Sequence, residues 1–366
     1  MLTRRRWLST AAVLSCTLVG GCIGGDQDDN DHGDETCDPP EPGATRPNCD
    51  FSGQDFSGED LSGADLSHAD LSATNLSGAD LSAVDFSHAI LSGAKLDDSE
   101  LTDASFHDAD LHEASLERVE ATNASFEEAR IEGASLEDGE FSATDFTGCF
   151  FHTVEFTGAN FTEANLSEIQ CLGEDLSNVE FTGAQLTGAV LDESDLSEAT
   201  LEGANLGDVK AERIVGMNTN FSGAQIQGAR FTEADLSNAN LTNIIGAEEQ
   251  WELDGVDSQT PDENAWFREA NLSEAVLENS KLPGAVMREA TLDGVRASGA
   301  MFFGARFADA SARDGDFTET DMRSIDLTGA DFYGSDFTGA FFKWYGKCPD
   351  KTCAGYAYET EDDTDT

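Results

Sequence analysis

Between Phe56 and Leu81 a large apolar residue falls at every fifth position: Phe56, Leu61, Leu66, Leu71, Leu76 and Leu81. Neither regular element uses that spacing. Along a strand, side chains alternate between faces, so residues five apart point opposite ways. Along a helix, a step of five drifts by roughly 140° each time and no apolar stripe forms. The spacing fits a chain that turns a corner every five residues while coiling round a common interior. The centre of a unit, such as Leu66, and the residue two before it, Ala64, then both point inward. Asp65 and the Ser67-His68 corner point out.

The register is long. From Phe51 to Leu241 there are 39 centres in steps of five, and only Ala121, Cys171, Ala211 and Gly216 are not Leu, Phe or Ile. The pattern resumes one residue out of phase at Phe267 and supplies 16 more centres to Phe342. A second period sits on the first. Phe86, Phe106, Phe126 and Phe146 are 20 apart, as are Phe141, Phe161 and Phe181. Rings stacked one coil apart explain both series if each coil holds four units. The chain therefore reads as a repeat architecture.

Units such as Ala64-Asp65-Leu66-Ser67-His68 and Ala79-Asp80-Leu81-Ser82-Ala83 resemble the A(D/N)Lxx motif of the pentapeptide-repeat family, over roughly three quarters of the chain. The resemblance implies an all-β fold: a right-handed quadrilateral parallel β-helix, four pentapeptides per turn. On that basis the chain holds about 14 coils in two register blocks, 49–241 and 267–342, joined by an insert loop at 242–266. Coils at the usual strand spacing of ~4.8 Å make a rod of roughly 65 Å.

The ends read differently. Thr3-Arg4-Arg5-Arg6-Trp7-Leu8 resembles a twin-arginine export motif, and the apolar stretch from Ala11 to Val19 is too short to span a bilayer. It leads to Val19-Gly20-Gly21-Cys22, which resembles a lipobox; Cys22 is the expected lipidated residue and Cys16 a weaker alternative. Residues 1–21 are thus a signal, and 22–48, rich in Asp, Gly and Pro, an acidic disordered tether. These features place the protein outside the cytoplasm, lipid-anchored to the cell membrane. Asp28 to Gly33 imitates a calcium loop only in part: position twelve is Pro39 rather than Glu, and no helices flank it. At the other end, 343–358 forms an aromatic cap over the last coil and 359–366 a disordered acidic tail. Family members often dimerise through this end, so the resemblance also implies a homodimer through the cap.

The net charge is −53, and removing residues 1–21 takes away Arg4, Arg5 and Arg6 and no acid, leaving −56. Quinolone-resistance members of the family imitate DNA and bind gyrase. The geometry argues against that here. Asp55, Asp60, Asp65 and Asp70 belong to successive units, so they lie on four sides of one coil. Charge all round suits solvation in high salt better than a one-sided mimic, and an exported protein does not meet cytoplasmic gyrase. No nucleic-acid partner is expected; the partner is an unidentified protein or glycan.

Little in the chain reads as chemistry. There is no nucleophile elbow, P-loop, HExxH or zinc-spaced cysteine set, and no carboxylate pair stands out among so many. No cofactor and no catalytic residue are expected. Asp60, Asp80, Glu100, Glu120 and Glu140 share one outward position and form an acidic ladder. His68, His88, Asp108 and Glu128 fall on one corner column, where a divalent metal is a weak alternative to ordinary surface histidines. Eight cysteines suit an oxidising location. Cys37 and Cys49 flank the first coil, Cys348 and Cys353 close a loop at the last, and both pairs are expected to be disulfides that staple the ends. Cys149 and Cys171 lie on the inner side of neighbouring coils, either paired or as free core thiols. The expected function is a non-enzymatic membrane-tethered scaffold or interaction rod. The alternative is a cation- or ligand-binding module using the acidic and histidine ladders or the 242–266 loop.

Overall fold

The computed structural model describes residues 37–247 and 264–342. The chain divides into Met1–Thr36 and Cys37–Thr366, and all described residues belong to the second unit. The signal, Cys16, Cys22, most of the tether, the middle of the insert, Cys348, Cys353, the cap and the tail lie outside the described residues.

Every fifth residue pairs in parallel with the residue 20 further on: Asp60 with Asp80, Asp65 with Asp85, Asp70 with Ile90, Asn75 with Lys95. Four five-residue units therefore make one coil. The unit 80–84 shows why this is stable, because each of its five amides finds an acceptor. Asp80 donates to the Glu59 carbonyl one coil behind (3.0 Å), and Leu81 and Ala83 donate to Glu100 and Thr102 one coil ahead (2.8 and 2.9 Å). Val84 closes the turn onto the Leu81 carbonyl (3.2 Å), and Ser82 donates to Oδ1 of Asp80 (3.1 Å). A unit this short in strand still leaves none of its own backbone donors orphaned.

The turn residue two after each centre has positive φ, which is the signature of a type II turn. Among the described residues 34 non-glycine and 22 glycine positions adopt it. Asp, Asn and Glu are frequent there, so strain tolerated at the corners also places acids on them. Inside, the centres and the small residues two before them are buried, Leu66 and Ala69 at 0% exposure. The phenylalanine columns stack as their spacing requires. Phe86–Phe106, Phe106–Phe126 and Phe126–Phe146 have centroids 4.9, 4.5 and 4.8 Å apart; Phe141–Phe161 and Phe161–Phe181 are at 5.3 and 5.5 Å. At several places where Thr or Ser replaces the small inward residue, its hydroxyl donates to a centre carbonyl one coil back: Thr74 to Phe51, Thr144 to Ala121, Thr219 to Leu196. Thr320 donates instead to the Phe317 carbonyl of its own turn.

Three boundaries differ from expectation. The stack begins before residue 49, since Thr45 already pairs with Asp65 and the Gly43 amide donates to Ser62. Cys49 is joined to Cys37 within this first coil, with Cα atoms 5.5 Å apart. The insert is narrower than 242–266: Ile245 pairs with Gln225 and Lys281, and Trp266 with Arg230 and Val286. Moving from Ile245 to Trp266 takes 21 residues where five are usual. The 16 extra residues are one more than a multiple of five, which produces the phase slip.

One step of the ladder is open. Glu155 pairs back to Ser135 and Asp175 forward to Asp195, but the two do not pair with each other. On the neighbouring face the short strands β1 (Phe150–Phe151) and β2 (Gln170–Cys171) stay in register. At this step Glu174 occupies an inward position normally held by Ala or Val. It is the one charged side chain buried among the described residues, and its Oε1 accepts the Thr153 amide at 2.9 Å. An apolar void of about 10 Å³ lies in the interior, with Phe151, Phe156, Cys171 and Leu176 among its walls.

Candidate functional site

The outward side chains form columns, one residue per coil, and each column has a local logic. Where Asp or Asn precedes the centre, it commonly accepts from the backbone amide two residues on and, in several units, from the hydroxyl of the Ser or Thr there as well. Oδ1 of Asp60 takes the Ser62 amide at 3.1 Å and its hydroxyl at 2.7 Å; Asp65 and Ser67 repeat the arrangement. These bonds stabilise the ionised carboxylate. The Ser52 hydroxyl, then the Ser52 amide, hold Asp50 below the ordinary value of 3.8, and Ser57 and Thr338 do the same for Asp55 and Asp336. Much of the acidic surface is thus turn chemistry. The sequence signal was the recurring Asp-Leu-Ser triplet, whose meaning as a cap was missed.

The acidic ladder lies in bridge register from Asp60 through Asp80, Glu100 and Glu120 to Glu140. It ends on Asn160, whose Nδ2 donates to Glu140 at 2.7 Å. Corner charges pair across coils in a few places. The Arg118 guanidinium bonds Asp98 at 2.8 Å and holds that carboxyl below its usual range; Arg213 bonds Glu193 at 2.7 Å. Such exposed pairs contribute little each.

His68, His88, Asp108 and Glu128 share the left-handed corner position, with φ between 55° and 59°. The column exists, but it does not converge on a metal. The His68 and His88 rings are parallel, 4.7 Å apart with an 11° interplanar angle, so their in-plane lone pairs do not meet at one point. His88 Nδ1 lies 3.5 Å from Asp108 instead, and Glu128 lies against Gly148 further along the stack. His107 was not foreseen. Its ring is edge-on to His88 and its Nδ1 lies 3.6 Å from Glu127. Among the described residues no group of His, Cys, Asp and Glu has the geometry to hold a metal ion.

Cys149 and Cys171 are both buried and both free, which corrects the pairing alternative. Cys149 stands two before a centre and Cys171 is itself a centre, so their side chains leave the backbone at different points of the unit. The Cys149 thiol donates to the Phe126 carbonyl at 2.9 Å, as the buried hydroxyls do. Burial raises both thiol pKa values far above the ordinary range.

The family model for pentapeptide repeats matches in eight copies, over residues 48–82, 79–118, 99–138, 140–169, 175–210, 217–243, 270–309 and 305–343. This chain belongs to the pentapeptide-repeat family. Its β-helix is the right-handed quadrilateral fold known for that family. Among solved structures it is similar to HetL, a pentapeptide repeat protein involved in heterocyst differentiation regulation from the cyanobacterium Nostoc sp. strain PCC 7120. Identity is 20% over 82% of this chain and 90% of HetL, with a TM-score of 0.21. It is also similar to a trypsin-treated form of QnrB1, a plasmid-mediated fluoroquinolone resistance protein, at 18% identity over 61% of this chain and 91% of QnrB1, TM-score 0.28. A third relative, from the thylakoid lumen of Arabidopsis thaliana, is 24% identical over 35% of this chain and 68% of its own, TM-score 0.14. At these identities the likeness speaks to fold alone. No curated protein matches the chain.

Proposed function

We propose that this pentapeptide-repeat protein is a non-enzymatic scaffold held outside the cytoplasm by a lipid on Cys22, presenting a β-helix of about 14 coils in two register blocks to a protein or glycan partner. The observation that carries the reading is what holds the described acidic surface together. Its polar side chains are spent on turn caps and coil-to-coil ladders, such as Asp60 with Ser62 and Asn160 with Glu140, rather than gathered into a site. The Cys37–Cys49 disulfide supports an oxidising location. The acid found on all four sides supports solvation in high salt over DNA mimicry.

The test is fractionation of cells expressing the chain and its Cys22→Ser variant. Release of the variant from membranes is the expected result, and unchanged membrane association refutes the lipid anchor. Capture from envelope extract in high salt, with and without residues 248–263, then assigns the partner surface to the coils or to the insert. A hydrolytic or transferase activity in the purified chain would overturn the non-enzymatic reading.

A further inference from the structure

One bridge column of the coils departs from the acidic rule. It runs in unbroken register from Asp50 to Asp326. From Arg130 to Arg306 it holds nine residues and no carboxylate, and four of them are the cations Arg130, Lys210, Arg230 and Arg306. That is unexpected in a chain with 20 Lys and Arg against 73 Asp and Glu. The column itself carries two of the exposed large apolar side chains, Ile90 at 43% and Phe150 at 47%, and Leu172 at 57% stands on the corner that follows Gln170 and Cys171. Of the others among the described residues, Met217 lies on the next face, and Tyr333, Phe341 and Phe342 belong to the last coils. The N-terminal end of the column is acidic, with Asp50, Asp70 and Asp110. This column therefore runs from acidic through apolar to basic before it ends on Asp326, and the carboxylates beside its basic part, such as Glu233, Glu269 and Glu289, stand on the corner.

We propose that the face bearing this column is the interface of an antiparallel homodimer whose two-fold axis passes at the level of Gln170 and Leu172. Reversing the column about that level sets Phe150 against Val190, Asp110 against Arg230, Ile90 against Trp266 and Asp50 against Arg306. Gln170 and Leu172 each meet their own copy. Every off-axis pair is made twice, and a two-fold contact closes at two chains. Because both copies repeat at the same ~4.8 Å, a match made at one coil is kept along the column.

Two places are not complementary. Arg130 faces Lys210, with Glu132 and Glu212 two residues along the same segments to offset the charge, and Asp70 faces Val286, which is already buried in its own chain. Twelve coil steps from Asp50 to Arg306 span ~58 Å, and a strip ~10–12 Å wide gives about 600–700 Å² per copy, close to the ~800 Å² of a standard interface. A polyanion would use the basic end alone and be repelled by Asp50, Asp70 and Asp110. A second copy uses both ends.

The surface substitutions Leu172→Cys and Met217→Cys are introduced separately into the full chain and oxidised in ~1 M KCl, which screens repulsion between two acidic chains. Both are run beside the unsubstituted chain. The proposal expects disulfide-linked dimers from Leu172→Cys and none from Met217→Cys. It also expects them from an equimolar mixture of Asp110→Cys and Arg230→Cys chains but from neither alone. In sedimentation equilibrium Arg230→Glu weakens the dimer by about tenfold or more, and adding Asp110→Arg to the same chain restores it. A monomer at about 100 μM overturns the proposal, as does equal cross-linking through Met217→Cys or failure of the charge exchange to restore association.

Discussion

Phe126 offers the sharpest test of the interior. It is fully buried and sits mid-column, with Phe106 at 4.5 Å and 5° on one side and Phe146 at 4.8 Å and 7° on the other. Phe141 meets it edge-on at 6.3 Å. Phe126→Ala removes the ring and leaves a space that neighbouring coils cannot collapse into, because hydrogen bonds on all four sides fix the coil separation. Phe-to-Ala changes in cores cost ~3–5 kcal/mol, and the position warrants the upper part of that range. Phe126→Leu keeps most of the apolar volume and gives up the two ring stacks, each worth ~0.5–1.5 kcal/mol, so a loss of ~1–3 kcal/mol is expected. The assay is native-state hydrogen exchange in high salt, read on amides of coils containing Phe106, Phe126 and Phe146 against coils beyond Phe181. Each coil touches only its neighbours, so the lost protection should concentrate around the substitution. A loss under ~1 kcal/mol for Phe126→Ala, or equal losses for Ala and Leu, would refute the stacked column.

Leu66→Asp places an unpaired charge in the dry interior and should cost several kcal/mol, whereas Asp65→Leu loses only the Ser67 cap, about 1 kcal/mol; equal melting temperatures for the two would overturn the inward and outward assignment. The capped carboxylates set an acid limit. Asp50, Asp55 and Asp336 have folded pKa values below 3.8, so their contribution is present above that value and is lost as pH falls below it through the folded values. In high salt, where repulsion is screened, stability followed by circular dichroism should decline below pH 3.8, and a flat profile down to about pH 2 would contradict the cap. Cys149 and Cys171, buried and held as thiols, should resist iodoacetamide in the folded chain and react on unfolding; mass spectrometry showing rapid native labelling would refute their burial.

The interior was legible because it is periodic: Leu66, Ala64 and the phenylalanine columns follow from counting fives and twenties. What counting missed has physical reasons. The stack begins before residue 49 although Arg46 is no apolar centre, and it continues past Leu241 although the next centres are Ile245's neighbour Gly246 and then the insert. An apolar tally stops at both places, while the backbone ladder does not. The corner histidines were correctly put in one column, but a column fixes only Cα positions. The parallel stacking of His68 on His88 depends on side-chain torsions, which a count of positions does not give. Glu174 reads as one more acid among 73 Asp and Glu, and only the folded chain shows that it is buried beside the open step of the ladder.

We propose that the acid spread over the apolar coil stack serves solvation in high salt. The most direct measurement is the unfolding temperature of the purified chain as potassium chloride rises from ~0.1 M to ~3 M, over which the Debye length falls from ~10 Å to a few ångströms. Neighbouring carboxylates such as Asp60, Asp80, Glu100 and Glu120 stand one coil apart, so their repulsion beyond contact is screened, while the Leu, Phe and Ala interior keeps its burial. The account predicts a steep rise in unfolding temperature, with loss of β-type circular dichroism at low salt well below the high-salt transition. The same unfolding temperature at both ends of the titration would contradict it.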